Sequence, residues 1–197
     1  MRKFAFFFVL VLSFTLPIAG QSNDYDFCSR SKKLETGGMY ILGGWAAANI
    51  AYGSYGWANY KGQMKYFSQM NLFWNTVNLA IASFSLYNNY NVDCNTLSIG
   101  EALAKQMKTE KILLINAGLD AVYIGTGTLL IILSSKSEKR QDLLLGYGNS
   151  LILQGAFLLL FDLSLYGVLV HNRPEIINNV GFTVSPQMTG FYIALKF

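Results

Sequence analysis

The feature that most constrains this chain is the alternation of long, nearly uncharged segments with polar connectors. Four such segments cover about residues 37–58, 70–87, 112–133 and 143–170. Each is long enough to cross the hydrocarbon core of a bilayer as a helix. Because unpaired backbone groups are costly in lipid and the segments do not alternate strictly, helices are favoured over strands. We therefore predict an all-α fold, a polytopic membrane four-helix bundle.

The composition agrees with that prediction. Hydrophobic residues make up 52% of the chain and charged residues 13%, whereas soluble domains are about a quarter charged. A disordered chain and a disulfide-dense mini-protein are excluded. The net charge is +4, but the lysines and arginines are scattered through the connectors, so no nucleic-acid partner is expected. The lipid bilayer is the expected partner.

The amino terminus has the pattern of a secretory signal. Arg2 and Lys3 precede an apolar run over residues 4–16, and the small residues Ala19 and Gly20 follow it. The run is too short to span a bilayer, so we predict cleavage near Gly20, with an uncleaved anchor as the alternative. The expected organisation is a signal peptide over 1–20, a polar lead over 21–36, a four-span domain over 37–171 and an extended tail over 172–197.

Membrane topology follows from the signal. A cleaved signal places the mature amino terminus outside, and four spans return the carboxyl terminus to the same side. We therefore expect a bacterial inner-membrane protein with both termini in the periplasm. Lys61, Lys65 and Lys136 then lie in cytoplasmic loops, in weak agreement with the positive-inside rule. Cys28 and Cys94 share the oxidising compartment, so either a disulfide or two free thiols is possible.

Two further segments lie outside the spans. Residues 97–107 form an amphipathic piece with Ser98 as a plausible N-cap and Glu101 three residues later, which predicts a short helix at the outer surface. The tail ends in alternating apolar residues, and we expect it to lie extended on the outer face. A protein partner would bind through residues 88–111 or 172–197.

The helical phase of the spans places one polar stripe on each of them. With a rise of about 1.5 Å per residue, Asn49, Asn78, Asp120 and Asp162 all lie roughly 12–15 Å below the outer surface. Lipid cannot hydrogen-bond such groups, so we expect the stripes to face one another inside the bundle. The candidate ligand-binding residues are Asp120, Asp162, Asn49, Asn78, Asn75, Asn116, Tyr123 and Tyr166.

The two aspartates are the unusual members of this layer. No lysine or arginine lies inside the predicted spans to neutralise Asp120 or Asp162. A charged Asp near the centre of a span costs roughly 2.5–3.5 kcal/mol, so the pair is either protonated or holds a cation or water. The layer would then bind a proton, a cation or a small polar ligand. The alternative is a structural or assembly subunit that uses these polar groups only to pack its helices.

Catalytic motifs are absent from the sequence. It contains no HExxH, no phosphate-binding loop and no GxSxG, and it has one histidine. An intramembrane aspartyl protease would need two aspartates on neighbouring helices, but the residues around Asp120 lack the motif of that class. Two cysteines are too few for a zinc or cluster site. We expect no enzyme activity and no cofactor.

The two halves of the chain resemble each other weakly. At an offset of 74, Gly44, Ala47 and Gly53 align with Gly118, Ala121 and Gly127. Small identities also arise by chance among apolar helices, so a duplicated helical hairpin and a chance match both remain open. A real duplication would be a parallel repeat, because two spans preserve sidedness.

One further pattern extends over most of the chain. After the predicted signal peptide and within the four spans it comprises Asn49, Asn75, the stretch 116–123 (NAGLDAVY), Gly155 and Asp162. This pattern resembles an uncharacterised family of small bacterial four-helix membrane proteins, a domain of unknown function. The resemblance covers about residues 34–172, and it implies an all-helical membrane fold and no known activity.

Overall fold

A computed structural model describes residues 24–173 of the chain. Four long helices and one short 3-10 helix account for nearly all of these residues, and no strand occurs among them. The prediction of an all-α fold is therefore confirmed. The predicted signal peptide, and the predicted tail beyond residue 173, lie outside the described residues. The helices are α1 (Asp24–Asn59), α2 (Gly62–Tyr90), α3 (Ile99–Ser134), the 3-10 helix (Glu138–Arg140) and α4 (Gln141–His171).

The helices form a bundle of two antiparallel hairpins. Helix α1 packs along α2, and α3 packs along α4. The contact between α2 and α4 joins the hairpins, and these two helices run in the same direction. A disulfide between Cys28 and Cys94, with the Cα atoms 5.7 Å apart, ties the start of α1 to the connector after α2. We call this end of the bundle the disulfide end and the opposite end the turn end.

One prediction about local structure is corrected. Residues 97–107 do not form a separate surface helix, because most of them are the first turns of α3, which continues to Ser134. The predicted cap is confirmed: Ser98 accepts a hydrogen bond from the Glu101 backbone N–H, and the Glu101 carboxylate accepts one from the Ser98 N–H. Residues 101–117 contain neither glycine nor proline, so nothing in the sequence ends the helix before the apolar segment.

Each hairpin has glycines where its two helices approach closely. A Cβ atom at Gly53 would lie 2.7 Å from the Ser68 carbonyl oxygen on α2. A Cβ atom at Gly127 would lie 2.6 Å from the Gly148 carbonyl oxygen on α4. Only a residue without a side chain permits such spacing. The two glycines aligned by the offset of 74 thus occupy the same place in the two hairpins.

The polarity of the bundle is inverted. Among the described residues, buried polar and charged side chains outnumber buried hydrophobic ones. The outer surface carries large apolar side chains on every helix. Two segments, Ile99–Ser134 and Glu138–His171, are long and apolar enough to cross a membrane. Examples of the exposed apolar side chains are Tyr40 on α1, Val77 and Phe84 on α2, Val122 on α3 and Leu160 on α4.

Candidate functional site

The two candidate aspartates, Asp120 and Asp162, meet in the bundle interior. Asp120 on α3 is 3% exposed and Asp162 on α4 is 5% exposed. Their carboxyl groups lie close enough to interact with each other. Gly155 allows the two helices to approach here, since a Cβ atom at this position would lie 2.9 Å from the Asp120 carbonyl oxygen. A hydrogen bond between two carboxyl groups requires a proton on one of them.

A second polar group, which we call the amide cluster, lies between α1, α2 and α4. It is centred on Gln154, whose Oε1 accepts a hydrogen bond from Trp45 Nε1 at 2.9 Å. Gln154 Nε2 donates to Asn71 Oδ1 at 2.8 Å and makes a longer contact of 3.4 Å with Asn49 Oδ1. Ser150 Oγ also donates to Asn71 Oδ1, at 2.8 Å. The polar groups of this cluster serve as hydrogen-bond partners for one another, so the cluster fixes the register of three helices.

Other buried polar atoms in the same part of the bundle have no hydrogen-bond partner among the described residues. They include the donors Trp74 Nε1 and Asn78 Nδ2 and the acceptor Asn75 Oδ1. Asp120 Oδ2 likewise has no hydrogen-bond partner among the described residues. Buried groups of this kind are usually satisfied by ordered water or by a ligand. Donors and acceptors are both present among them, and water can satisfy either kind.

The predicted single polar layer is divided into separate groups in the structure. Asp120 and Asp162 come together, whereas Asn49 contacts Gln154 in the amide cluster. Asn75 and Asn78 are buried on α2, but within residues 24–173 no hydrogen bond joins either to the carboxyl pair. The depth estimate therefore placed all of these residues in the interior without giving their partners.

The other three predicted residues are half-buried. Tyr123 packs edge-on against Trp74, with ring centroids 4.6 Å apart. Tyr166 packs against an apolar cluster that includes Leu165. Asn116 lies one helical turn before Asp120 on α3. These three residues therefore border the interior of the bundle.

Sequence reasoning missed Ser150 and Gln154 as interior residues. The two are four residues apart in the most apolar segment of the chain, which is the spacing of one helical face. That spacing was a usable signal. On the fourth segment the predicted ligand-binding residues were only Asp162 and Tyr166, whereas Gly148 and Gly155 line the side of α4 that faces α3.

A buried ion pair at the disulfide end was also missed. Glu110 on α3 is 2% exposed and forms a salt bridge with Arg173, which follows α4. Gln106, also fully buried, donates to Glu110 at 2.8 Å and to the Leu169 carbonyl oxygen at 2.6 Å. These residues lie outside the apolar segments, so sequence patterning treated them as exposed connectors.

Glu35 on α1 is a second buried acid at this end. Burial is the largest influence on the Glu35 carboxyl and raises its pKa, and nearby Glu110 acts in the same direction. Lys105, Thr109 and Asn89 oppose that effect without cancelling it. Lys105 Nζ donates to Asn89 Oδ1 at 3.1 Å, and burial lowers the pKa of this lysine. Charged groups from α1, α3 and the segment after α4 therefore lie together at the disulfide end.

Comparison with known proteins identifies a family without a known activity. A family model described as "Family of unknown function (DUF6992)" matches residues 41–163. The chain belongs to this family. The DUF6992 match includes the carboxyl pair and the whole amide cluster, whereas Cys28, Glu35 and Arg173 lie outside it. The expected resemblance to an uncharacterised family is confirmed. No curated protein and no solved structure matches the chain.

Proposed function

We propose that this protein is an integral membrane protein whose four helices cross the bilayer and whose Asp120–Asp162 pair binds a proton. The observation that carries the proposal is the inverted polarity of the bundle, with a carboxyl pair inside it and no cationic side chain from residues 24–173 paired with it. Within residues 24–173 no protein covers the large hydrophobic side chains of the outer surface, and lipid would supply that cover.

The membrane part of the proposal is supported by how little of the apolar helices is buried. In the most apolar stretch of Ile99–Ser134 only 22% of the residues are buried, and in that of Glu138–His171 only 33% are buried. Core helices of soluble proteins reach similar hydropathy but are mostly buried. On α2 the side chains of Val77 and Phe84 are 59% and 68% exposed, while Asn75 and Asn78 on the opposite face are buried. This distribution fits a helix with lipid on one side.

The topology is proposed from the disulfide. A disulfide persists in an oxidising compartment, so the Cys28–Cys94 end would face outward. In a bacterial inner membrane this end would face the periplasm, and the turn end with Lys61 and Lys65 would face the cytoplasm. Helix α1 begins and helix α4 ends at the disulfide end, so both termini of the mature chain would lie outside.

The choice of a proton is supported by the groups that surround the pair. No ion pair forms between a cationic side chain and Asp120 or Asp162 within the described residues. On the neighbouring helix α2, Trp74 Nε1 and Asn78 Nδ2 are donors without a partner among the described residues, and such donors bind water but not a metal cation. No group of three or more metal-ligating side chains occurs within residues 24–173. A shared proton, with water on the unpartnered atoms, satisfies the largest number of buried groups.

Infrared spectroscopy of the protein in lipid bilayers tests this proposal. At pH 7 we expect the C=O stretching band of a protonated carboxyl group, and its loss in the double variant Asp120→Asn/Asp162→Asn. The band should be unchanged in the control Asp142→Asn, because Asp142 is exposed at the turn end. If wild type and the double variant have the same band, the pair holds no proton. A band that appears only after a chelator is added would assign the pair to a metal cation.

A second candidate function is a structural or assembly subunit. The amide cluster favours it, because three helices are already linked there by hydrogen bonds that satisfy one another and need no ligand. Such interhelical bonds contribute about 0.6 kcal/mol each on average. This function predicts a stable protein partner whose binding depends on residues 88–111 or 172–197. It also predicts that Asp120→Asn and Asp162→Asn leave every ligand- or pH-dependent property unchanged.

A further inference from the structure

The turn between α1 and α2 forms an open cavity of about 450 Å³ at the turn end of the bundle. Three aromatic residues, Trp57, Tyr60 and Tyr66, line it together with Lys61 and Lys65. None of these residues belongs to the carboxyl pair or to the amide cluster. The cavity therefore needs an explanation of its own.

The charge of the cavity favours an anion. Lys61 and Lys65 are both exposed, and no carboxylate within residues 24–173 forms an ion pair with either. The one acid that lines the cavity is Asp142, which lies against Gly62: a Cβ atom there would be 3.2 Å from Asp142 Oδ2. Two lysines against one aspartate leave a positive charge.

The backbone of α2 adds donors to the same place. The helix starts at Gly62, and the N-cap residue Lys61 forms no side-chain hydrogen bond to the first turn. Gly62 has a positive φ of 58°, which turns the chain sharply into the helix. The first N–H groups of a helix have no partner within the helix, and together with the positive end of the helix dipole they strengthen the preference for negative charge set by the lysines.

The surface next to the cavity shows what else the anion should carry. Trp57 and Phe73 contact each other, with ring centroids 5.4 Å apart, and both are exposed. Val77 continues this apolar surface one turn further along α2. Tryptophan and tyrosine are typical of the headgroup level of a membrane. We therefore expect the anion that binds the lysines to carry hydrocarbon chains, and these chains would lie along Trp57, Phe73 and Val77.

We infer that this cavity binds the phosphate headgroup of an anionic phospholipid, through Lys61 and Lys65. The inference rests on the membrane part of the proposed function and is independent of the proton on the carboxyl pair. Basic cavities between helices at a membrane surface commonly hold such headgroups. The bound lipid would hold the α1–α2 turn at a fixed depth in the bilayer.

Native mass spectrometry of the full-length protein in detergent tests the inference, with phosphatidylglycerol and phosphatidylcholine as the added lipids. We expect the first phosphatidylglycerol to bind about tenfold more tightly than phosphatidylcholine, as two lysines at a membrane surface would allow. The variant Lys61→Gln/Lys65→Gln should lose this preference. The control Lys136→Gln/Lys139→Gln removes the same charge from the other turn and should keep it.

Two results would overturn the inference. One is an equal preference for phosphatidylglycerol in wild type and in Lys61→Gln/Lys65→Gln. The other is displacement of the lipid by inorganic phosphate, which would assign the cavity to a soluble phosphate compound. Failure of the membrane proposal would be recognised separately, because spin labels at Val77 and Val122 would then report water instead of lipid. The Asp120→Asn/Asp162→Asn variant should bind phosphatidylglycerol as wild type does.

Discussion

Substitution Gly127→Ala should destabilise the bundle by about 1–3 kcal/mol, and this is among the largest effects we expect from a single methyl group. The new Cβ atom would lie 2.6 Å from the Gly148 carbonyl oxygen and 2.8 Å from Ile152 Cγ1. A backbone oxygen cannot move without shifting α4, so α3 and α4 must separate. Thermal unfolding of the detergent-solubilised protein measures the change.

Gly125 supplies a matched control two residues away on the same helix. A Cβ atom there has no neighbour within 4 Å. Alanine favours a helix over glycine by up to about 1 kcal/mol, so Gly125→Ala should be neutral or stabilising. The two substitutions should therefore have opposite signs. Equal stabilities of the two variants would show that α3 and α4 do not cross at Gly127.

Substitution Arg173→Ala should destabilise the protein by about 2–3 kcal/mol. It leaves the Glu110 carboxylate, which is 2% exposed, with Gln106 as its remaining donor. Breaking a buried ion pair from one side costs about 3–5 kcal/mol, and the 30% exposure of the Arg173 side chain places this pair below that range. Thermal unfolding in detergent again gives the change.

The control for this prediction is Lys111→Ala, which removes an exposed cation next to Glu110 in the sequence. We expect a change below about 1 kcal/mol. The double variant Glu110→Gln/Arg173→Ala should recover most of the lost stability, because no buried charge remains unpaired. An Arg173→Ala protein as stable as Lys111→Ala would contradict the assigned pairing.

The four helices could be predicted because their apolar segments are long and bounded by charges. The bounds could not be predicted in the same way. Helix α3 starts at Ile99, more than three turns before its apolar segment. Hydropathy did not indicate this start, because it reports how apolar a segment is and not how far the helix extends. The same limit hid Glu110, which is polar in sequence but lies under Arg173 in the fold.

The candidate site was only partly predictable for a related reason. Helical phase correctly turned Asp120 and Asp162 toward the interior, and the structure adds their contact. The common depth assigned to Asn49 and Asn78 was measured from segment ends, where an error of a few residues is a full helical turn. The amide contacts depend on where the helices cross at their glycines. Both helices of a hairpin together determine those crossing points.

The central claim is that the apolar surface of this bundle faces lipid while its polar groups face inward. Spin labels attached to Val77→Cys and Val122→Cys test it directly in lipid vesicles, because Cys28 and Cys94 are joined in the disulfide and do not react. We predict that both labels collide more often with dissolved oxygen than with a water-soluble nickel complex, and that a label at Lys139→Cys shows the reverse. Labels at Val77 and Val122 that favour the nickel complex would contradict the account.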